Sequence, residues 1–567
     1  MKQKTANLLK KAVLMAKKSQ EWSDFELPEI QAEYTKNDKF GDYSSNIAMV
    51  LAKKVGKDPM EIAEAIKDAI CHSERSEESR NIKSNDTITE SFANAQDDTV
   101  KNFEKIEVAA PGYLNFYLSK KYLQDVVKKI NAEKENFGAS QKGKGIKINN
   151  EFISANPTGP LHLGNGRGGF YGDSLSKILR KAGFDVTVEY YVNDAGEQVV
   201  KLGHSVLKDG EKVYEGEYID ELNKKFGKIQ DVREVGEKSA NYILENIIKK
   251  TVKEKMRIEF DEWTSEKELQ KKGYDNRAVE MLKKKGFTYE SDGALWLKTT
   301  EFGDDKDRVL VKSDGKNAYI AGDCGYMLDK IERGFDKLIM GLGADHHGYV
   351  SRLKAVAKML GFHGDFRIIL SQLVRLVKDG KEVRMSKRAG NVVYIDDLIE
   401  EVGHDVARFF FLMYSPDTHM NFDLGLAKEQ SQKNPVYYVQ YAHARICSIL
   451  GKSQISIPEF QTSRKSQVAD LNSDLSLLMH EKELSLIKEL NKFPELIEEI
   501  SESYEAHRLP HYALKLADKF HSFYDACRVI DEENPELSKA RLSLVNSARI
   551  VLAETLRLIG VSAPKSM

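Results

Sequence analysis

The spacing of hydrophobic residues near the amino terminus predicts a small module of mixed secondary structure. Residues 8–16 carry an apolar stripe at helical spacing, and the apolar run 47–52 follows a turn-rich stretch. An extended apolar stretch at 108–116 is interrupted by a Pro-Gly pair. This pattern predicts an α/β module over residues 1–120, followed by a linker at 121–144.

The middle of the chain alternates between strand and helix patterns. Residues 146–153 are typical of a strand, and apolar positions from Tyr171 to Ala182 form one helical face that ends at Gly183. A second strand pattern covers residues 185–192. Together these elements form a βαβ unit, which predicts a parallel sheet.

The same pattern predicts two larger domains. Residues 145–425 are predicted to form a Rossmann-like α/β domain, with an inserted helical segment at about 200–300. Strand patterns fade after about residue 426, and long helical patterns continue to the end. We therefore expect an all-helical domain at 426–567, in a multidomain α/β protein.

One stretch lacks the apolar residues that a folded core requires. Residues 71–101 are rich in serine and charged side chains and contain few large apolar residues. Such a segment buries too little apolar surface to offset its ordering entropy. It is predicted to be a disordered surface insertion, and a partner-binding loop is the alternative.

Composition narrows the class of protein without indicating a partner. The chain has 567 residues, 41% hydrophobic and 31% charged, with a net charge of −2, which is typical of a globular protein with several domains. We expect no membrane span and no export signal, because no apolar run is long enough. The four cysteines are far apart in the sequence, which argues against disulfides or a zinc site and favours the cytoplasm.

A glycine-rich loop, residues 154–168, follows the first predicted strand of the Rossmann-like domain and leads into a helix. Open α/β sheets bind ligands at this end of their strands, and glycines with a helix amino terminus suit phosphate. His162, with Gly164 and Asn165 beside it, can donate to a phosphate oxygen whose charge increases during a reaction. A surface histidine on a glycine-rich turn remains the alternative.

A basic loop at residues 381–391 is the second candidate. Cations clustered before Ala-Gly-Asn suit a mobile clamp over a triphosphate, and a lysine there can stabilise charge at the α-phosphorus. The alternative is a solvated basic turn. The candidate side chains are Arg384, Met385, Ser386 and Lys387.

A third loop, residues 341–349, follows an apolar strand pattern. Asp345 with two adjacent histidines suggests a metal site, but side chains that neighbour each other at a strand end diverge, and no second ligand pair is nearby. We predict a nucleotide-contacting loop through Gly343, Asp345 and His347, and no metal site.

The order and spacing of these three loops resemble the class I aminoacyl-tRNA synthetases. Their H-I-G-H and K-M-S-K-S signatures are similar to residues 162–165 and 384–388. Two positions depart from the pattern. Asn165 can donate a hydrogen bond but cannot become cationic, and Arg384 keeps the charge with different geometry. His162 and Lys387 are retained, so the departures do not predict inactivation.

A finer resemblance, to arginyl-tRNA synthetases, covers nearly the whole chain. It implies that the amino-terminal module binds the outer corner of the tRNA and that the carboxyl-terminal helices bind the anticodon. The expected RNA contacts are Phe40, Tyr43, Tyr438, Tyr441 and Arg445. The resembling stretches are 40–43, 155–168, 343–349, 434–445, 520–529 and 560–564.

The resemblance also implies an arginine pocket. Asp323 is the expected partner of the guanidinium, because that group presents only donors in a plane, and Tyr319 is expected to pack against the side chain. Glu151 and Asn156 are expected to hold the α-amino and carboxylate end or to order the loop, beside His162.

The implied activity is the ligation of arginine to tRNA(Arg) through an arginyl-adenylate. His162, Asn165, Arg384 and Lys387 would act on ATP, which enters as its Mg²⁺ complex, without a tightly bound metal or prosthetic group. We expect a monomer. Alternatives are a synthetase for glutamate, cysteine or lysine, a small nucleotidyltransferase with an H-x-G-H loop, and a non-catalytic tRNA-binding paralogue. Loss of His162 or Lys387 would favour the last, and neither is lost.

Overall fold

The computed structural model describes residues 1–75, 99–383, 393–456 and 473–567. Its residues divide into two compact units. The first unit comprises Met1–Phe137, Ile449–Glu495 and Asp518–Val551, and the second comprises Gly138–Ser448, Leu496–Ala517 and Leu552–Met567. Within the described ranges, no helix has the length and apolar character needed to cross a membrane.

The amino-terminal module combines helices with an antiparallel sheet, which confirms its predicted α/β character. Four strands pair in the order β1-β2-β4-β3. Its helices bury one apolar face each; in the first helix that face includes Leu8, Leu9, Ala12 and Val13. The elements are α1 (Lys2–Ser19), β1 (Glu33–Tyr34), β2 (Tyr43–Ser45), α2 (Ile47–Val55), α3 (Pro59–Arg75), β3 (Phe103–Ala109), β4 (Tyr113–Leu118) and α4 (Lys120–Glu133).

The structure corrects the bounds of two predicted segments in this region. The predicted linker at 121–144 is largely the helix α4, which buries Leu123, Val126, Val127 and Ile130 on one face. The predicted insertion at 71–101 is structured at both ends, because α3 continues to Arg75 and Val100–Asn102 form a 3-10 turn with Val100 buried. Residues 76–98 lie outside the described ranges.

A βαβ unit opens the second region, as the sequence predicts. It consists of β5 (Lys147–Glu151), α5 (Leu163–Lys181) and β6 (Asp185–Val192). The segment predicted to be helical then follows, and it also contains strands. Its elements are α6 (Glu197–Leu207), α7 (Glu217–Phe226), α8 (Val232–Ile243), two π-helical turns (Leu244–Ile248 and Thr251–Lys255), β7 (Glu262–Ser265), α9 (Glu266–Lys271), α10 (Tyr274–Lys284), β8 (Thr288–Ser291), β9 (Ala294–Leu297) and β10 (Arg308–Val311).

Strands from both sides of that segment complete a five-stranded sheet in the order β12-β11-β5-β6-β7, with every neighbouring pair parallel. This confirms the predicted Rossmann-like sheet. The remaining elements of the region are α11 (Tyr319–Glu332), β11 (Lys337–Gly343), α12 (Val350–Leu360), β12 (Asp365–Ser371), β13 (Val374–Lys378), β14 (Lys381–Glu382), α13 (Ile395–Val402), α14 (His404–Leu412), β15 (Met420–Asp423) and α15 (Leu424–Lys428).

The carboxyl-terminal region is helical, as predicted, and the described residues after Asp423 contain no strand. Its helices bury long apolar faces, such as Leu516, Phe520 and Phe523 in one of them. They are α16 (Pro435–Ser456), α17 (Glu481–Asn491), α18 (Phe493–Ser503), α19 (Arg508–Ala526) and α20 (Pro535–Ile559).

Helix α5 packs very closely on strand β5, and this contact positions the candidate site. A Cβ atom at Gly172 would lie 2.2 Å from the ring of Phe152, so only glycine fits there. The amide of the buried Asn150 donates to the carbonyl of Gly172 at 3.0 Å and to the hydroxyl of Ser176 at 2.8 Å. The strand and the helix are therefore joined by both packing and hydrogen bonds.

Candidate active site

The candidate site lies at the carboxyl ends of the parallel strands. The chain runs outward from β5 to β6 and β7 on one side of the sheet, and β11 and β12 extend it on the other side. Strands β5 and β11 are therefore neighbours at a topological switch point, where open α/β sheets bind ligands. The loops that follow these two strands are the first and third predicted loops.

A strained turn follows β5. Ile153 and Ser154 have φ values of 67° and 40°, in the left-handed region that a β-branched residue such as isoleucine rarely adopts. The Ser154 hydroxyl donates to Glu151 Oε1 at 3.0 Å and accepts the backbone N–H of Tyr191 at 3.1 Å. These contacts hold the turn in place and fix the carboxylate of Glu151 at the end of the strand.

His162 is the N-cap of α5, and Asn165 is its partner in a capping box. The Gly164 N–H donates to Nδ1 of His162 at 3.1 Å, and the amide oxygen of Asn165 accepts the His162 N–H at 3.0 Å. In a neutral ring, Nδ1 as acceptor leaves the proton on Nε2. Both signature residues therefore keep a donor to offer a ligand: Nε2 of His162 and the amide nitrogen of Asn165.

The charge state of His162 is set by its surroundings. Solvent reaches the ring, yet the surrounding protein atoms disfavour the cation and lower the pKa of His162, while Asp345 opposes this effect. The imidazole is therefore mostly neutral near pH 7. As the negative charge of a phosphate approaches, it favours the protonated form.

Of the second predicted loop, residues 381–391, the structure describes only residues 381–383. Arg384, Met385, Ser386 and Lys387 lie outside the described residues. The chain on the far side of the loop is bonded to the first loop, because the Leu163 N–H donates to the Val393 carbonyl at 3.3 Å and the Ile395 N–H donates to the Leu161 carbonyl at 2.9 Å. The segment that follows the basic loop is thus anchored beside His162.

Arg167, which no sequence motif distinguishes, anchors the chain that leads into the basic loop. Its buried guanidinium donates to the carbonyls of Gln372 at 2.8 Å, Ser415 at 2.7 Å and Thr418 at 2.7 Å. Burial lowers the pKa of Arg167 to about 10, and Asp417 opposes this shift. The residue therefore ties the start of α5 to the segments that lead into β13 and β15.

The third predicted loop forms a 3-10 turn, Ala344–Tyr349, directly after β11. Asp345 and His347 are exposed there, while Arg352 stacks over the ring of Tyr349 at 4.2 Å. Among the described residues, no three histidine, cysteine, aspartate or glutamate side chains are grouped as metal ligands. The turn presents polar groups toward the same strand ends as His162.

Carboxylates cluster on this edge of the sheet, and we call the cluster of Glu151, Asp323 and Glu266 the anionic pocket. Burial raises the pKa of Asp323 to about 6, with Glu151 adding to the shift and Arg352 opposing it. Burial also raises the pKa of Glu266 to about 7, and Asp323 and Asp194 contribute. Carboxylates that repel each other in this way are stabilised by a bound cation. Glu266 is a site residue that the sequence analysis missed.

Aromatic side chains line the same pocket. The rings of Tyr191 and Tyr326 stack with centroids 4.1 Å apart, and the Tyr326 hydroxyl donates to Glu151 Oε2 at 2.8 Å. Tyr319 is 68% exposed at the start of α11, one helical turn before Asp323, and Asn156 is exposed. The predicted residues Glu151, Tyr319 and Asp323 thus converge, whereas Asn156 makes no side-chain hydrogen bond to any described residue.

The prediction that Tyr43 contacts RNA is wrong. Tyr43 is fully buried, and its ring packs against Tyr34 with centroids 5.1 Å apart, so it belongs to the core of the amino-terminal module. Phe40, three residues earlier, is 54% exposed and available to a partner. The alternation of strand β2 directs Tyr43 inward.

The other predicted RNA contacts lie on one helix. Tyr438, Tyr441 and Arg445 are half-buried on α16, at spacings of three and four residues that place them on one face. The Arg445 guanidinium lies 6.0 Å from the centre of the Tyr441 ring, and Tyr437 stacks on the same ring at 6.2 Å. This face combines aromatic and cationic groups, which suits nucleic acid.

The parallel sheet, its switch point and the His162 loop define a class I aminoacyl-tRNA synthetase, and residues 205–409 match the family of tRNA synthetases class I (R), catalytic domain. The arginine–tRNA ligase of Bacillus subtilis is 42% identical over 587 aligned residues, covering 99% of this chain and 98% of that protein. The enzyme of the same name from Listeria monocytogenes serotype 4b is 43% identical, covering 96% and 95%. The chain belongs to the arginyl-tRNA synthetase family.

Further matches agree with this assignment along the whole chain. Residues 2–85 match the arginyl tRNA synthetase N terminal domain, and residues 439–567 match the DALR anticodon binding domain. The fold is similar to that of the Thermus thermophilus arginyl-tRNA synthetase, with a TM-score of 0.73 at 21% identity, covering 99% of this chain and all of that one.

Proposed function

We propose that this protein activates L-arginine with ATP and transfers it to the 3′ end of tRNA(Arg). The observation that supports this most is the cluster of carboxylates, Glu151, Asp323 and Glu266, at the carboxyl ends of the parallel strands in a chain of this family. Glutamate and cysteine, two of the alternatives that the sequence leaves open, have no cationic side chain to pair with two carboxylates whose pKa values are raised, whereas lysine is separated from arginine by the geometry of its charged group.

The pocket suits a guanidinium better than an ammonium. A guanidinium presents several N–H donors in one plane, and Asp323 and Glu266 together offer four acceptor oxygens. We assign Tyr319 to pack against the aliphatic part of the substrate, and Glu151 and Asn156 to hold its α-amino and carboxylate end or to order the loop. Lysine would leave acceptors unpaired in a desolvated site, which discriminates strongly against it.

The reaction needs no protein nucleophile. The arginine carboxylate attacks the α-phosphorus of ATP and pyrophosphate leaves; the terminal ribose hydroxyl of the tRNA then attacks the adenylate carbonyl and AMP leaves. His162 and Lys387 stabilise charge on the phosphates, Asn165 and Arg384 assist them, and Mg²⁺ arrives with ATP as part of the substrate. Gly343, Asp345 and His347, with Gly164, Met385 and Ser386, are assigned to ATP binding.

The other regions are assigned to the tRNA. We assign the module at 1–120 to the outer corner of the tRNA, with Phe40 as its exposed contact, and the helices at 426–567 to the anticodon, with Tyr438, Tyr441 and Arg445. None of the four cysteines, all of which the structure describes, is in a disulfide bond, which fits a reducing cytoplasm. We propose that the protein acts as a monomer.

The direct test is ATP–pyrophosphate exchange with each amino acid in turn, with and without tRNA(Arg). We expect exchange with arginine alone, and only when tRNA is present, since the resemblance implies that bound tRNA is required for activation. Exchange driven by lysine, glutamate or cysteine would contradict the arginine assignment. The absence of exchange with every amino acid would favour a non-catalytic tRNA-binding protein.

Arginine binding should be coupled to the release of protons. The pKa values of Asp323 and Glu266 are raised to about 6 and about 7 without ligand, and a bound guanidinium favours the ionised forms. Affinity for arginine should therefore increase by up to about 100-fold as the pH rises from 5.5 to 7.5, and then level off. Calorimetry in two buffers with different ionisation enthalpies measures the released protons. A dissociation constant that is flat across this range would contradict the prediction.

A further inference from the structure

Helix α11 carries a polar stripe from the open pocket into the protein interior. Tyr319, Asp323, Tyr326 and Lys330 follow one another at spacings of four, three and four residues, so they lie on one face of the helix. The stripe begins at the exposed Tyr319 and ends at Lys330, which is 1% exposed. The opposite face packs into an apolar core through residues such as Cys324, Met327 and Leu328.

Lys330 ends in a buried network of charges beneath the pocket. Its ammonium lies 3.0 Å from Glu151 Oε2 and 2.9 Å from Glu189 Oε2, and it donates to the amide oxygen of Asn149. Glu189 also has a second cation, because the Arg333 guanidinium donates to both of its oxygens at 2.8 and 2.9 Å. Among the described residues, Lys330 is the cation that pairs with Glu151.

Two hydrogen bonds and one ion pair fix the orientation of Glu151. Oε1 accepts from the Ser154 hydroxyl at 3.0 Å, Oε2 accepts from the Tyr326 hydroxyl at 2.8 Å, and the Lys330 ammonium lies 3.0 Å from Oε2. Glu151 is 3% exposed, so its charge requires a nearby cation. Without the ammonium, a buried carboxylate at the pocket wall would be left uncompensated.

We propose that Lys330 is a positioning residue for amino-acid binding: its buried ion pair holds the Glu151 carboxylate in the orientation that the substrate needs, without contacting the substrate itself. The inference rests on the proposed function, because it takes Glu151 to be a wall of the arginine pocket. The proposal also gives the acidic residues of the pocket different roles. Glu151 has its own buried counter-ion, whereas Asp323 and Glu266 have their charge available for the substrate.

The test combines Lys330→Met, which keeps the length of the side chain and removes its charge, with Glu151→Gln. Aminoacylation is measured at saturating tRNA. We expect Lys330→Met to raise the arginine KM about 30-fold and to leave the ATP KM within about twofold. In the Glu151→Gln background the same substitution should change the arginine KM by less than about twofold, since it acts through Glu151.

Arg333→Met is the matched control. It removes the other cation of the same network, which pairs with Glu189 and Asp329 and not with Glu151. We expect it to lower the melting temperature while the arginine KM stays within about twofold of the wild type. Equal effects of Arg333→Met and Lys330→Met on KM, or full additivity of Lys330→Met with Glu151→Gln, would overturn the proposal in favour of a general structural role.

Tyr326→Phe tests the same contact if Lys330→Met does not fold. It removes one hydroxyl that donates to Glu151 and keeps the ion pair, so we expect a rise of about threefold in arginine KM that disappears in the Glu151→Gln background. No rise overturns the proposal. Failure of the proposed function is distinct, because the wild-type protein would then show no arginine-dependent aminoacylation at all.

Discussion

Asp323→Asn is expected to raise the arginine KM by at least about 100-fold, because removing one half of a desolvated charge pair costs about 3–5 kcal/mol. The substitution keeps the shape of the side chain and removes its charge. The ATP KM should change by less than about twofold, since Asp323 lies on α11 in the amino-acid pocket and ATP is assigned to the loops after β5 and β11. Steady-state aminoacylation at saturating tRNA measures both constants.

The control for this prediction is the same change at Asp329 on the same helix. Asp329 pairs with Arg333 at 3.0 Å and is not placed in the pocket. Asp329→Asn should therefore leave the arginine KM within about twofold. An unchanged arginine KM for Asp323→Asn would mean that Asp323 is not the guanidinium partner.

His162→Ala is expected to slow adenylate formation by about 100-fold or more, which corresponds to a lost phosphate contact of about 3 kcal/mol in the transition state. The effect should appear in kcat, with the arginine and ATP KM values changed little, because the contact strengthens as pyrophosphate leaves. Lys387→Ala is expected to cause a loss of the same order, on grounds of sequence alone. Pyrophosphate exchange in the presence of tRNA measures these rates.

His363→Ala is the matched control for His162→Ala. His363 is exposed and precedes β12, so it lies at the amino end of that strand, away from the strand ends that carry the candidate site. Its removal should leave the exchange rate within about twofold. A His162→Ala variant that folds and exchanges pyrophosphate at the wild-type rate would exclude His162 from the mechanism.

The parts of the fold that follow local periodicity could be predicted from the sequence. The βαβ unit from β5 to β6 lies where the alternating and helical patterns predict it, and Gly183 follows the end of α5. Residues 120–133 also carry a helical pattern, because Leu123, Val126, Val127 and Ile130 have helical spacing, so the sequence contains the signal that contradicts a linker there.

The candidate site was only partly predictable, because long loops bring its members together. Glu266 comes 115 positions after Glu151, on a short helix after an edge strand, and no local pattern distinguishes it from a solvated acid. The sequence contains a weak indication of the role of Lys330. This lysine lies on the same helical face as Tyr319, Asp323 and Tyr326, and the other face of that helix is apolar. The family resemblance alone predicts that Tyr43 contacts RNA. The alternation of strand β2 instead directs its side chain into the core.

The left-handed turn at Ile153 and Ser154 has a consequence for attempts to make this protein more heat-resistant. Glycine at such positions ordinarily relieves backbone strain, and replacing Ser154 would also remove the hydroxyl that joins Glu151 to the Tyr191 N–H. A glycine at Ser154 could therefore raise the melting temperature and at the same time loosen the position of Glu151, so that thermostability is gained at the expense of catalytic rate. Lys208 and Asp292 adopt similar backbone angles outside the pocket, so glycine at those positions offers a safer route to thermostability.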